Sequence, residues 1–204
     1  MPDLSRSQFC EITCLSPDAL KSLTRRGQIP FMVDQKASGR GYTLFEAFLM
    51  ILANEFVEGH GVNLTRAAEI AAAVPAVLEP EWSRVVETAE KLFERDGAGV
   101  DPIMCGRCQS AGPERAEPIC GTHDEIAQKL KASGKMNARL TLSSASHALA
   151  TLIRRALNNQ IEIPEEFWST PFSFRERART DWAGITNMKK LIAEGEHLKH
   201  DAES

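Results

Sequence analysis

One stretch near the N-terminus decides how the first part of the chain folds: Ser16-Pro-Asp-Ala-Leu-Lys-Ser-Leu-Thr-Arg-Arg-Gly-Gln-Ile-Pro30. Ser16 is a residue type that caps helix N-termini, and Pro17 suits the first helical position because its missing N–H costs nothing there. Gly27 favours the left-handed conformation that ends helices, and Pro30 makes continuation unfavourable. The stretch therefore predicts a short capped helix that stops at Gly27.

The predicted helix has an apolar side and a polar side. Its core face consists of Ala19, Leu20 and Leu23, and its outer side of Lys21, Ser22, Thr24, Arg25 and Gln28. Phe9, Ile12 and Leu15 fall at helical spacing, which predicts another short helix over residues 5–14. Two short helices joined by a tight turn predict a helix-turn-helix.

A β-ribbon, or wing, is predicted after these helices. Residues 31–33 are a short strand candidate, residues 34–41 are polar turn material, and Tyr42-Thr43 is the expected return strand. Arg40 and Tyr42 alternate with a glycine, so both are expected on one face of the wing. A short positive helix beside a positive hairpin fits a DNA major groove and its flanking phosphates.

Two more helices complete the N-terminal segment. Thr43 with Glu46 forms a capping box, so a helix is expected from about Leu44. Its expected core face is Phe45, Phe48, Leu49, Leu52 and Phe56. Asn63 is expected to cap the next helix, and Pro75 to close a module of residues 1–75.

The rest of the chain follows a different pattern. A helix is expected over 80–96, and a glycine-rich stretch ending at Gly99 marks the predicted domain boundary. Short strand candidates at 103–105 and 119–120 precede a helix opened by a capping box at Thr122, and a strand at 140–142 precedes a further helix. This order predicts an α+β chain in which a small α/β domain with a right-handed crossover, residues 99–204, follows a linking or dimerisation helix in 76–98. A final amphipathic helix is indicated by Ile185, Met188 and Ile192.

The first 75 residues resemble the winged helix-turn-helix domain of MerR-family transcription regulators. The matching segments are Ser16 to Leu20, Arg26-Gly-Gln-Ile-Pro30, Gly39-Arg-Gly-Tyr42 and Gly61-Val-Asn-Leu64 with Ile70. The resemblance implies a DNA-reading helix and wing in a transcription regulator. The chain departs from the family at Lys21-Ser22-Leu23, where an Arg and two aromatic residues are usual, and in lacking a long coiled-coil helix.

Several side chains of this segment are candidates for DNA contact. They are Ser16, Lys21, Ser22, Arg25, Arg26, Lys36, Arg40 and Tyr42. Lys21 and Arg25 lie one turn apart, and Arg40 suits bidentate phosphate binding. The alternatives are a solvated helix surface and, for Tyr42, a packed ring. Residues 1–42 hold six Lys/Arg and four Asp/Glu, and the remainder holds eighteen and twenty-four, so a locally basic head precedes an acidic body.

A Cys/His pattern is the second feature with possible chemistry. Cys105 and Cys108, then Cys120 and His123, supply three thiolates and an imidazole, a set that suits tetrahedral Zn²⁺. The alternative is buried strand cysteines, because Cys105 and Cys108 point to opposite faces of an ideal strand. Zinc is thus a possible but not a required cofactor.

These observations favour a cytoplasmic, sequence-specific DNA-binding transcription regulator that binds a palindromic operator as a homodimer. The odd number of cysteines, five, indicates a reducing compartment, and no apolar run reaches the ~18 residues of a membrane span. No catalytic motif stands out, so no enzyme is expected. The open alternatives are an excisionase-like architectural DNA-bending factor and a zinc-stabilised protein-interaction module without DNA binding. The effector is not indicated.

Overall fold

Helices pack on both faces of a small antiparallel sheet in the computed structural model, which describes residues 4–31, 41–94, 99–110 and 116–169. The helices in these ranges are α1 (Arg6–Thr13), α2 (Pro17–Arg25), α3 (Leu44–His60), α4 (Leu64–Ala73), α5 (Pro75–Leu78), α6 (Trp82–Glu94), α7 (His123–Ala132), α8 (Ala145–Asn158) and α9 (Glu165–Ser169). The strands are β1 (Met104–Gln109), β2 (Glu117–Gly121) and β3 (Arg139–Ser144), and a 3-10 turn (Glu79–Glu81) precedes α6. The predicted α+β class is confirmed.

The helix starts follow the capping signals of the sequence. The Thr43 side chain accepts a hydrogen bond from the Glu46 N–H at 3.0 Å, while the Glu46 carboxylate accepts one from the Thr43 N–H at 2.9 Å. Asn63 caps α4, and Thr122 caps α7 in a second capping box. Pro75 occupies the first turn of α5, directly after α4 ends at Ala73, so the chain continues in a further helical turn there.

Helix α3 is the central element of the fold. The sequence predicted a single apolar face, but every residue from Leu44 to Ala53 is buried. The reason is its composition: a helix that is apolar all round must be covered all round. Helices α1, α4 and α8 and strand β3 pack against it.

The sheet has the strand order β2-β1-β3, and both pairs are antiparallel. The predicted order of elements is present, since two strands precede α7 and a third strand follows it. The segment between β1 and β2 is too short for a crossover, which needs a dozen or more residues, so these strands form a hairpin. Helix α7 does join two strands that run in the same direction, β2 and β3, but β1 lies between them.

The two faces of the sheet have different partners. On one face Cys108 packs with Ile126 and Leu130 of α7. On the other, Ser143 of β3 is hydrogen-bonded to Glu55 of α3. The sheet thus lies between α7 and the central helix.

Residues 1–171 form one unit, and residues 172–204 form a second unit that lies outside the described ranges. In the first unit α8 packs against both α3 and α6. The boundaries expected near residues 75 and 98 stay a prediction about which parts fold alone. The final amphipathic helix also lies outside the described residues. None of the helices in the described ranges is long and apolar enough to cross a membrane.

Candidate nucleic-acid interface

Helix α2 is held at both ends by the residues that the sequence indicated. The Ser16 hydroxyl accepts a hydrogen bond from the Ala19 N–H at 3.1 Å, and Pro17 occupies the first turn. At the other end Gly27 adopts φ +63°, and the Gln28 N–H donates to the Leu23 carbonyl at 2.9 Å. This is the Schellman arrangement, in which a left-handed glycine lets the last carbonyls of a helix find donors.

Two cations on the outer side of α2 and a third at its C-cap face solvent. Lys21, Arg25 and Arg26 are exposed, whereas Ser22 is half-buried beside them. No acidic side chain in the described part of the chain lies within ion-pair distance of these cations. Because Lys21 and Arg25 are separated by one helical turn, they form one positive surface.

The α1–α2 pair is fixed to its surroundings by polar contacts. The Arg6 guanidinium donates to the Pro17 carbonyl at 2.7 Å, which joins α1 to the start of α2. The Gln28 amide donates to the Thr65 hydroxyl at 3.1 Å, which joins the end of α2 to α4. Both ends of the cationic helix are therefore tied to neighbouring elements.

Of the three DNA-contact candidates in the predicted wing, only Tyr42 lies among the described residues. Lys36 and Arg40 lie outside the described residues. The ring of Tyr42 is half-buried and stacks on Phe9 with their centroids 4.2 Å apart. Its backbone pairs with Leu4, with the Tyr42 N–H donating to the Leu4 carbonyl at 2.8 Å. The ring of Tyr42 is therefore packed, as the alternative to DNA contact predicts, and DNA contact through its hydroxyl stays a prediction.

The Cys/His set is divided between the two faces of the sheet. Cys105 and Cys120 are direct cross-strand partners, and both are buried. Cys108 packs on the opposite face against α7, and His123 is exposed, with its Nδ1 atom 3.9 Å from an Asp101 carboxylate oxygen. As placed, these four donors do not converge, and no cluster of metal-ligating residues occurs within the described ranges.

Burial keeps these thiols protonated. It raises the pKa of Cys105 well above its usual range, and it raises the pKa of Cys120 to about 12. Burial also raises the pKa of Cys108. The thiolate is the form that binds metal and attacks electrophiles, so the protonated, less reactive form is favoured at all three positions.

A polar cluster that no sequence motif indicated lies on the face of the sheet that packs against α3. The Ser143 hydroxyl donates to a Glu55 carboxylate oxygen at 2.6 Å. Arg155 of α8 is close enough to act on the Glu55 charge, and its guanidinium donates to the Ile12 carbonyl of α1 at 2.9 Å. The one available signal was Glu55 itself, an acidic residue two positions after the run of buried residues that ends at Ala53.

Comparison with known proteins does not identify a family for this chain. No protein-family model matches the chain, and no curated protein matches it significantly.

Proposed function

We propose that this protein is a sequence-specific DNA-binding transcription regulator of the cytoplasm that reads a palindromic site as a homodimer. The observation that carries the proposal is the cationic surface of α2 and its C-cap, where Lys21, Arg25 and Arg26 face solvent without an acidic partner among the described residues. Cations left free on a short, capped helix are available for phosphates and base edges.

The construction of α2 supports this role. A helix that enters a groove must keep its position against the rest of the protein while its outer side binds. The contacts of Arg6 with Pro17 and of Gln28 with Thr65 hold its two ends, and neither uses the three outer cations. We propose that α1 and α2 form the helix-turn-helix, with the segment between Phe31 and Gly41 as its wing.

The uneven charge of the chain supports an oriented encounter with DNA. An acidic remainder is repelled by phosphates, while the basic head is attracted, so the surface around α2 is favoured for first contact. Dimerisation belongs to the same proposal, because one small helix-turn-helix buries little area and two half-sites raise both affinity and specificity.

The test is selection of bound duplexes from a random pool by the purified full-length protein, at about 50 mM and 200 mM salt. We expect a palindromic motif whose affinity falls steeply as salt rises. Salt-sensitive binding without a motif would replace the proposal with the architectural alternative. Absence of binding at both salt concentrations would overturn DNA binding, and zinc found by elemental analysis would then favour the interaction module.

A charge-reversal variant tests whether binding depends on α2. Arg25→Glu places a negative charge on the proposed surface, and Lys131→Glu makes the same change of two charges at an exposed position of α7. We expect Arg25→Glu to abolish binding and Lys131→Glu to leave it nearly unchanged. Equal losses would mean that net charge, rather than α2, determines binding.

A further inference from the structure

Glu55 lies where the central helix meets the sheet. Its carboxylate accepts a hydrogen bond of 2.6 Å from the Ser143 hydroxyl, and Ser143 is only 6% exposed. Ser143 belongs to β3 and Glu55 to α3, with 88 residues between them. This one contact therefore links a side chain of the central helix to a strand of the sheet.

The ionisable groups around Glu55 do not neutralise it. Glu58, one turn along the same helix, is a like charge, and Arg155 of α8 is the opposing one. The Arg155 guanidinium donates its hydrogen bond to the Ile12 carbonyl, and it acts on Glu55 as a nearby charge. The buried Cys105 thiol of β1 lies on the same side of the sheet.

The charged groups on the other two helices that pack against α3 have partners of their own. Those of α4 pair with each other, and those of α1 bind within the α1–α2 segment: Arg66 with Glu69, Arg6 with Pro17, and Glu11 with Ser7. Burial therefore dominates, and it raises the pKa of Glu55 to about 7. The folded protein favours a protonated Glu55 up to neutral pH.

We propose that Glu55 and Ser143 form a proton-controlled latch between α3 and β3, closed while the Glu55 carboxyl is protonated and loosened when it ionises. Glu55 is half-buried, so an ionised carboxylate keeps the bond from Ser143 but gives up part of its hydration, and separation of α3 from β3 becomes easier once the proton has left. The latch is independent of DNA binding, because it depends only on contacts inside the fold.

The dependence of latch opening on pH has a definite direction. A separated latch exposes Glu55 to water, where its pKa returns to the ordinary value of 4.5, against about 7 in the closed latch. The closed state therefore binds more protons between these values, and opening becomes roughly tenfold more favourable for each pH unit across that window. Above the upper value both states are ionised and opening is constant.

The experiment is hydrogen exchange of the β3 peptide in the full-length protein from pH 5 to 8.5, with each rate divided by the intrinsic exchange rate at that pH. We expect the opening constant of β3 to rise by roughly tenfold per pH unit up to an inflection near 7. Glu55→Gln should give a flat profile, and α7, on the other face of the sheet, should show no such inflection. A flat profile in the unmodified protein, or an unchanged slope in Glu55→Gln, would overturn the latch.

Two further variants separate the latch from general destabilisation. Ser143→Ala removes a bond that favours the ionised carboxylate, so the inflection should move to higher pH. Glu58→Gln removes a like charge, so the inflection should move to lower pH. A merely structural role would change the level of exchange in both variants without moving the inflection, and that result would also overturn the proposal.

Discussion

Arg155 of α8 donates a hydrogen bond to the main-chain carbonyl of Ile12 in α1 at 2.9 Å, although 143 residues separate them in the chain. Ile12 lies in the last turn of α1, where carbonyls have no partner inside the helix. The guanidinium supplies that partner. A residue of the C-terminal part thus completes the first helix of the proposed DNA-binding segment.

We therefore expect Arg155→Met to destabilise the whole fold. The variant keeps the apolar stem but removes the donor, and a lost hydrogen bond from a charged group costs about 1.5–3 kcal/mol. The control is Arg154→Met, since Arg154 is exposed and lies over the Phe93 ring at 5.9 Å, a contact worth about 0.5–1 kcal/mol. Urea unfolding measures both. Equal losses in the two variants would show that the Ile12 contact contributes nothing particular.

Gly106 is the position in the sheet least able to accept a side chain. A Cβ there would lie 2.0 Å from the Thr141 carbonyl oxygen, which belongs to the backbone of β3. We expect Gly106→Ala to destabilise by about 3 kcal/mol or more, because β1 and β3 must separate to relieve the overlap.

The matched control is Gly59→Ala in α3. A Cβ at Gly59 meets nothing within 4 Å, and alanine is the better helix former, so we expect stabilisation of up to about 1 kcal/mol. Thermal unfolding of both variants checks the pair. A stable, folded Gly106→Ala protein would contradict the close approach of the two strands.

The features that the sequence predicted correctly depend on local chemistry. Thr43, Asn63 and Thr122 cap helices through hydrogen bonds to residues three positions away. Gly27 ends α2 for an equally local reason, its left-handed conformation. A cap or stop signal needs no knowledge of what packs around it, and the helix boundaries were therefore predictable.

The features that the sequence did not predict depend on contacts between distant segments. The capping box of α3 indicates where the helix starts, but burial of every residue from Leu44 to Ala53 depends on packing against α1, α4, α8 and β3. Tyr42 was expected in a wing, whereas its described backbone pairing is with Leu4. The spacing of Cys105 and Cys108 already indicated opposite faces of a strand, but that Cys120 lies beside Cys105 and away from Cys108 depends on the pairing register of β1 and β2.

The reactivity of the cysteine thiols in the native protein should follow their burial. Cys14 is exposed, and the other four cysteines are buried. With the pKa of Cys120 at about 12, only roughly one molecule in ten thousand carries its thiolate at pH 8. We expect one fast-reacting thiol in the native protein and five after denaturation.

The measurement is titration with an aromatic disulfide reagent at pH 8. In Cys14→Ser the fast phase should disappear, while Cys108→Ser should retain it. Rapid reaction of two or more thiols in the native state would contradict the buried positions of the strand cysteines.

The surface of α2 gives the last prediction, which rests on the proposed DNA binding. Lys21→Ala and Arg25→Ala each remove one exposed cation, and each should lower the slope of log affinity against log salt by about 1 if the cation contacts a phosphate. Lys131→Ala removes an exposed cation of α7 and should leave the slope unchanged.

A side chain that reads a base edge behaves differently: its loss also relaxes the preference for one base in the selected motif. Repeating the selection with both variants therefore distinguishes positioning from sequence reading, and unchanged slopes and motifs in both would remove α2 from the interface.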